Sequence, residues 1–180
     1  MTTVPGFSLI TRPTSDAVLY VANDLGGTPV DASIEPTALL EREHGSIYTG
    51  AGAGSQAILS ATGFDKVDQF DTDGDADRTT PTASSNLLTL DNAGRYQVAF
   101  HITFLGDALT LFEFGVYWAG VLQSQIQADI EGGGSGRRSC SAAGIVNVSS
   151  GTTDLELYCK VSVDATLQVK KAGLSAVRFY

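Results

Sequence analysis

Arg95–Phe104, RYQVAFHITF, alternates without a break. Tyr96, Val98, Phe100, Ile102 and Phe104 fall on one side, and Arg95, Gln97, Ala99, His101 and Thr103 on the other. Period two over ten residues specifies a strand with one face in a core and one face outward. DNAG before it is a turn, and LGDA after it is another. LFEFGVYWA follows, with Phe112, Phe114, Val116 and Trp118 on one face and Leu111, Glu113, Gly115 and Tyr117 on the other. Both faces carry bulk, so this strand is expected to be covered on both sides.

The pattern extends in both directions. Downstream, GVLQSQIQADI opens on a turn glycine and gives a strand, and EGGGSG is a flexible loop. RRSCSAAGIVNV and DLELYCKVSV flank SSGTT and read as a hairpin, with Leu155, Leu157, Cys159, Val161 and Val163 facing one way. TLQV and LSAVRFY close the chain as two strands. Upstream lie strands over Gln56–Ser60, KVDQF and LLTL. About ten short strands with turn signals roughly every 8–12 residues specify an all-β sandwich or jelly roll.

Composition agrees. Charged residues make up 17% of the 180, against roughly 25% in average domains, and there are 20 glycines. Net charge is −9, and six of the twenty acids lie between Asp65 and Asp77. The only adjacent basic pairs are Arg137-Arg138 and Lys170-Lys171. No nucleic-acid partner is expected, because phosphate contacts need clustered cations. No apolar run approaches the roughly 18 residues of a membrane span. MTTVPGFSLI lacks the basic start and apolar run of a secretory leader, so folding in a reducing cytosol is expected.

The first 45 residues read differently. DAVLYVANDLGGTPVDASI is a strand over Val18–Ala22, a Gly-Gly turn and a second short strand. EPTALLERE is a two-turn helix with Pro36 in its first turn. The expected organisation is therefore an appendage over 1–45 and a sandwich over 46–180.

FDTDGDADRTT places Asp71, Asp73, Asp75 and Asp77 at every second position, and these are the candidate metal ligands. An EF-hand needs glycine at position 6 and glutamate at position 12. Counting from Asp71 gives Ala76 and Thr82, and from Asp73 gives Arg78 and Ser84. Both registers fail, so a solvated acidic loop is expected, with no metal and no cofactor. His44 and His101 have no ligand spacing, and GAGSQ lacks the second glycine of a nucleophile elbow. No catalytic residue is assigned. For the cysteines, pairing Val148 with Leu155 would set Cys159 opposite Gly144. Cys140 would then lie about 13 Å away at ~3.3 Å per residue, beyond disulfide reach. Free thiols are expected, with Cys159 buried as a small hydrophobe.

LDNAGRYQVAFHITFLG, FEFGVYWAGV, SAAGIVNVSSGTTDLELYCKV and LQVKKAGLSAVRFY resemble, in this order, strands of tumour-necrosis-factor-like and complement-type jelly rolls. One departure is Thr152-Thr153-Asp154 after Gly151, where those domains often have Gly-Asp directly. The resemblance spans Ser46–Tyr180 and implies a homotrimer. Tyr117, Arg178, Phe179 and Tyr180 are the expected subunit contacts. TSDAVLYVANDLGGTPVDASIEPTALLE resembles an adaptor segment of phage head and tail fibre proteins. Together these imply a virion protein on the capsid exterior, a decoration (cement) protein or head fibre. It would bind the major capsid protein as a trimer through Leu19, Tyr20, Val21, Pro29, Val30, Leu39 and Leu40, and would not be an enzyme. The alternative is a tail-tip receptor-binding module, with loops 71–80 and 131–137 holding a host glycan or protein.

Overall fold

The structure is a computed structural model. It describes residues 42–50, 54–58, 63–149 and 151–179, together with the backbone of 19–21 and 32–34. The chain divides into two units, Met1–Glu41 and Arg42–Tyr180. In the first, β1 (Leu19–Val21) pairs antiparallel with β2 (Ala32–Ile34), Leu19 opposite Ile34. Pro29, Val30, Leu39, Leu40 and the helix read after Pro36 lie outside the described residues.

The second unit is an antiparallel sandwich. β3 (His44–Tyr48), β4 (Ser55–Ile58), β6 (Thr72–Asp73), β9 (Gly94–Gly106), β12 (Arg138–Val148) and β14 (Ala165–Phe179) form one sheet, in the order β12-β9-β14-β3-β6 with β4 also on β14. β5 (Asp65–Lys66), β7 (Thr79–Thr82), β8 (Leu87–Leu90), β10 (Leu111–Trp118), β11 (Val121–Glu131) and β13 (Thr153–Val161) form the other, in the order β11-β10-β13-β8-β7 with β5 also on β13. This is the jelly roll that the alternation specified. Every inward residue of β9 is at most 2% exposed. Full burial of each such side chain contributes roughly 1.5–3 kcal/mol. Phe104 meets Phe112 and Phe114 across the core, with ring centroids 4.9 and 5.2 Å apart.

Four readings change. RRSCSAAGIVNV and DLELYCKVSV do not form a hairpin, since β12 pairs with β9 while β13 pairs with β10, β8 and β5. Both strands need their apolar face in the core, and the segment after Val148 carries the chain from one layer to the other. The register argument for the cysteines therefore fails in its premise, although both thiols are free. TLQV and LSAVRFY are one fifteen-residue strand, β14. A bulge between Val169 and Lys171 shifts its phase, which is why the alternation looked broken. Of KVDQF, only Lys66 is in a strand; Val67 and Phe70 are buried loop residues. Val163 lies past the end of β13 and is 56% exposed, off the stripe assigned to it.

β9 runs from the end of the sandwich where Arg42 enters and Phe179 leaves to the opposite end. At that distal end, Gly132 N–H donates to the Thr110 carbonyl (2.8 Å) and Gly134 N–H to the Gly106 carbonyl (2.9 Å). Loops 107–110 and 132–137 are thereby tied together.

Candidate functional site

The outward face of the β12-β9-β14-β3 sheet is built of aligned rows. Ala143, Ala99, Ser175 and Ser46 form a row of small residues across four strands. On one side of it lies Ile145, Gln97, Val177 and His44; on the other lies Ser141, His101, Gly173 and Tyr48. Phe179 follows, opposite Arg95. Tyr48 (42%), Ile145 (43%), Val177 (37%) and Phe179 (41%) are half of the eight large apolar residues exposed among the described residues, and all lie on this face. Small residues framed by exposed apolar ones thus form one continuous outward face of this sheet. Gly173 keeps it flat, because a Cβ there would run into the His101 ring.

Beneath Phe179 sits a buried charged cluster. Glu43, 5% exposed, accepts from the Tyr96 hydroxyl (2.8 Å) and from Arg178 Nη1 (2.5 Å). Arg178 Nη2 also donates to the Ala93 carbonyl (2.6 Å), and Arg178 N–H to the Glu43 carbonyl (2.8 Å). The Tyr96 hydroxyl lies 3.0 Å from the Asn92 carbonyl, so its one proton has two acceptors. Burial, then the bond to Glu43, pushes the Tyr96 phenol well above its ordinary value. A Cβ on Gly94 would strike the Arg178 guanidinium, so glycine there makes room for it. This cluster ties the entry of the sandwich to its last strand and to the turn before β9.

The acidic loop does not gather its carboxylates. Asp71 Oδ1 accepts from Gly50 N–H (2.5 Å) and the Thr72 hydroxyl (2.7 Å), and Asp73 Oδ1 from Ala83 N–H (2.6 Å). Asp75 Oδ2 lies 3.5 Å from His44 Nε2, and Asp77 exchanges backbone bonds with His44. Among the described residues no three His, Cys, Asp or Glu side chains come together as a metal cluster. His44 is raised above its ordinary pKa, first by its bond to the Arg42 carbonyl and then by Asp75.

The expected subunit contacts separate. Phe179 is on the small-residue face, and Arg178 turns inward to Glu43. Tyr117 is on the outer face of the other sheet, its ring tilted against Tyr158 (4.1 Å, 33°) and edge-on to Phe64 (5.8 Å). Tyr180 lies outside the described residues, as do the side chains of Leu19, Tyr20 and Val21. Tyr117 and Phe179 thus lie on the outer faces of opposite sheets. Sequence reading missed Tyr48, Ile145 and Val177, because exposed positions of a strand carry no signal until the strands are aligned. On the second sheet Glu113 lies opposite Asp129, beside a shallow pocket of about 150 Å³. Lys160 approaches Glu113 at 3.6 Å. Neither carboxylate is enclosed.

The chain matches no protein-family model and no curated protein. Solved structures share its fold. Eiger TNF from S. frugiperda superposes with a TM-score of 0.59 at 13% identity, covering 77% of this chain and 93% of that one. The globular domain of zebrafish complement 1qA gives 0.55 at 11% identity, covering 77% and 98%. Murine APRIL at pH 5.0 gives 0.51 at 11% identity, covering 77% and 100%. At these identities the likeness establishes the TNF- and C1q-like jelly roll, and the fold alone.

Proposed function

We propose that this chain is a structural protein of a bacteriophage virion. It is a homotrimer whose sandwiches pack through the β12-β9-β14-β3 face, and whose residues 1–41 bind the major capsid protein on the shell exterior. The observation that carries the trimer is the exposed apolar set Tyr48, Ile145, Val177 and Phe179 around a row of small residues. Second copies are the occupant: a closed threefold ring is built from head-to-tail contacts, so each copy sets this face against a different surface of its neighbour. The capsid arm rests on the resemblance of residues 14–41 to phage fibre adaptors and on the antiparallel β1–β2 pair within them. Three arms on one trimer act together, so effective concentration raises a weak single contact into firm attachment. The mechanism is binding, with no chemical step.

Light scattering should give a trimer mass for the full chain and a monomer mass for Val177→Glu with its circular dichroism unchanged. A wild-type monomer would end the avidity argument. Residues 42–180 should remain trimeric and fail to bind emptied, expanded heads; binding by this fragment would remove the arm from the reading. Tail-tip receptor binding is the second reading, favoured by Leu109, which is 84% exposed at the distal end. Copies per virion separate the two, hundreds for a capsid protein and few for a tail tip.

A further inference from the structure

The distal end of the same outward face carries a second feature, two rows beyond His101 and outside the residues that carry the trimer. Beyond the row Lys171, Thr103 and Ser139, the outward face of the sheet ends in a pocket of about 310 Å³. It is an open groove: β4, β9 and β14 line it through Ser55, Leu105, Thr166 and Gln168, and the loops border it with Asp107 and Gly134. Its size is at the small end of ligand sites, roughly 300–1,000 Å³.

The lining is built from hydroxyls, one carboxamide and one carboxylate, with Leu105 its one large apolar side chain and no cation among its residues. Asp107 Oδ2 accepts from Thr166 N–H at 3.1 Å, which fixes the carboxylate and leaves Oδ1 as an acceptor. The bond from Gly134 N–H to the Gly106 carbonyl holds the opposite wall. Donors and acceptors are therefore interspersed on a rigid frame. A row of vicinal hydroxyls, each able to donate and accept, matches such a lining. A phosphate or carboxylate would meet Asp107, and the lining residues themselves offer no cation. An apolar peptide side chain would leave most of the polar lining unpaired.

The loop that supplies Asp107 adds a separate observation. Leu109, two residues after Asp107, has φ +62°. That left-handed conformation is uncommon for a residue other than glycine, and strained backbone tends to occur at binding and switch positions. It holds an almost fully exposed leucine at the distal tip.

We propose that this pocket binds a neutral saccharide, with Asp107 and Gln168 taking adjacent ring hydroxyls and Ser55 and Thr166 completing the contacts. The site stands whether the protein sits on a capsid or on a tail.

Saturation-transfer NMR on the full chain tests it with methyl glucoside, methyl galactoside, methyl mannoside and N-acetylglucosamine as probes, and inorganic phosphate as the anionic control. At least one sugar should receive saturation, and phosphate should show no broadening. Gln168→Ala and Thr166→Val should each abolish the sugar signal. Thr166→Val keeps the backbone bond to Asp107, so it separates lost recognition from a disturbed loop. Glu113→Gln, at the pocket on the other sheet, should leave the signal intact. No transfer to any of the four sugars, undiminished transfer in both pocket variants, or binding of phosphate instead would each overturn the proposal. Trimer mass and head binding should be unchanged in the pocket variants, so the outcome is independent of the proposed virion role.

Discussion

Replacing Glu43 by alanine tests whether the buried cluster holds the sandwich closed. The side chain is 5% exposed and joins Tyr96, which is fully buried, to Arg178, whose side chain is 32% exposed. A hydrogen bond to a charged group contributes about 1.5–3 kcal/mol. Partial exposure of Arg178 brings the ion pair to the low end of that range. Tyr96 falls back on the Asn92 carbonyl and Arg178 on the Ala93 carbonyl, so neither is fully orphaned. Removing the one buried methylene beyond Cβ adds about 0.8 kcal/mol. The expected loss for Glu43→Ala is therefore about 2–3 kcal/mol. At roughly 2–4 °C per kcal/mol for a domain of this size, Tm falls by about 5–10 °C. Urea melts followed by the single tryptophan, Trp118, measure this, with protein concentration held fixed because a trimer melts by mass action. Glu43→Gln keeps the volume and an acceptor for Tyr96, so it should lose less. The phenol gives a second signature. Its folded pKa is raised, so its contribution is complete below about pH 10, the unfolded tyrosine value, and is lost as pH climbs above it. Stability should thus fall less steeply above pH 10 in Tyr96→Phe than in wild type. A Glu43→Ala protein within about 0.5 kcal/mol of wild type, the usual effect of a neutral surface change, would refute the reasoning.

Three further outcomes are expected. Burial pushes the Cys140 thiol up to about 11, and the Cys159 thiol further still, so both should resist a thiol reagent at pH 8 in the native state. Both should react on unfolding, with Cys140 the first to react as pH is raised on folded protein. Asp73→Ala should cost about 1 kcal/mol through the lost bond to Ala83 N–H, while Asp75→Ala is nearly neutral; calcium calorimetry should give no heat with wild type, and a Tm rise with calcium would restore the loop as a metal site. Gly106→Ala should cost about 1–3 kcal/mol by overpacking, because the new Cβ would meet the Phe112 ring at 2.5 Å; a neutral result would mean that the Phe104–Phe112 contact is loose.

β9 was legible because each inward residue is apolar and each outward one is polar or small, which is how a strand with one solvated face reads. β14 was not, because its bulge at Lys170 reverses the phase midway and divides one strand into two apparent ones. β7 was hidden by Pro81, which is tolerated there because β7 is an edge strand. The hairpin read across SSGTT failed because adjacency in sequence favours pairing, whereas two inward stripes can be satisfied equally from opposite layers. Glu43 and Arg178 lie 135 positions apart, and no local pattern links them. The one hint was Tyr96 itself, since a tyrosine inside an apolar stripe needs an acceptor for its hydroxyl. The distal pocket is legible only once β4, β9 and β14 are side by side.

The strand order has a consequence for how the protein is made. β9 is flanked by β12 and β14, both of which are synthesised after it. Through translation of residues 107–137 it has neither neighbour, so the nascent chain carries a long strand with two open edges and an aromatic face. β14 comes last and is the strand that joins β9 to β3 and β4. Early and late segments therefore meet only when synthesis of the domain is complete, a topology dominated by distant pairings and slow to assemble. Until then the exposed β9 segment is the place where neighbouring nascent chains would stick to one another, and where a holding chaperone would act.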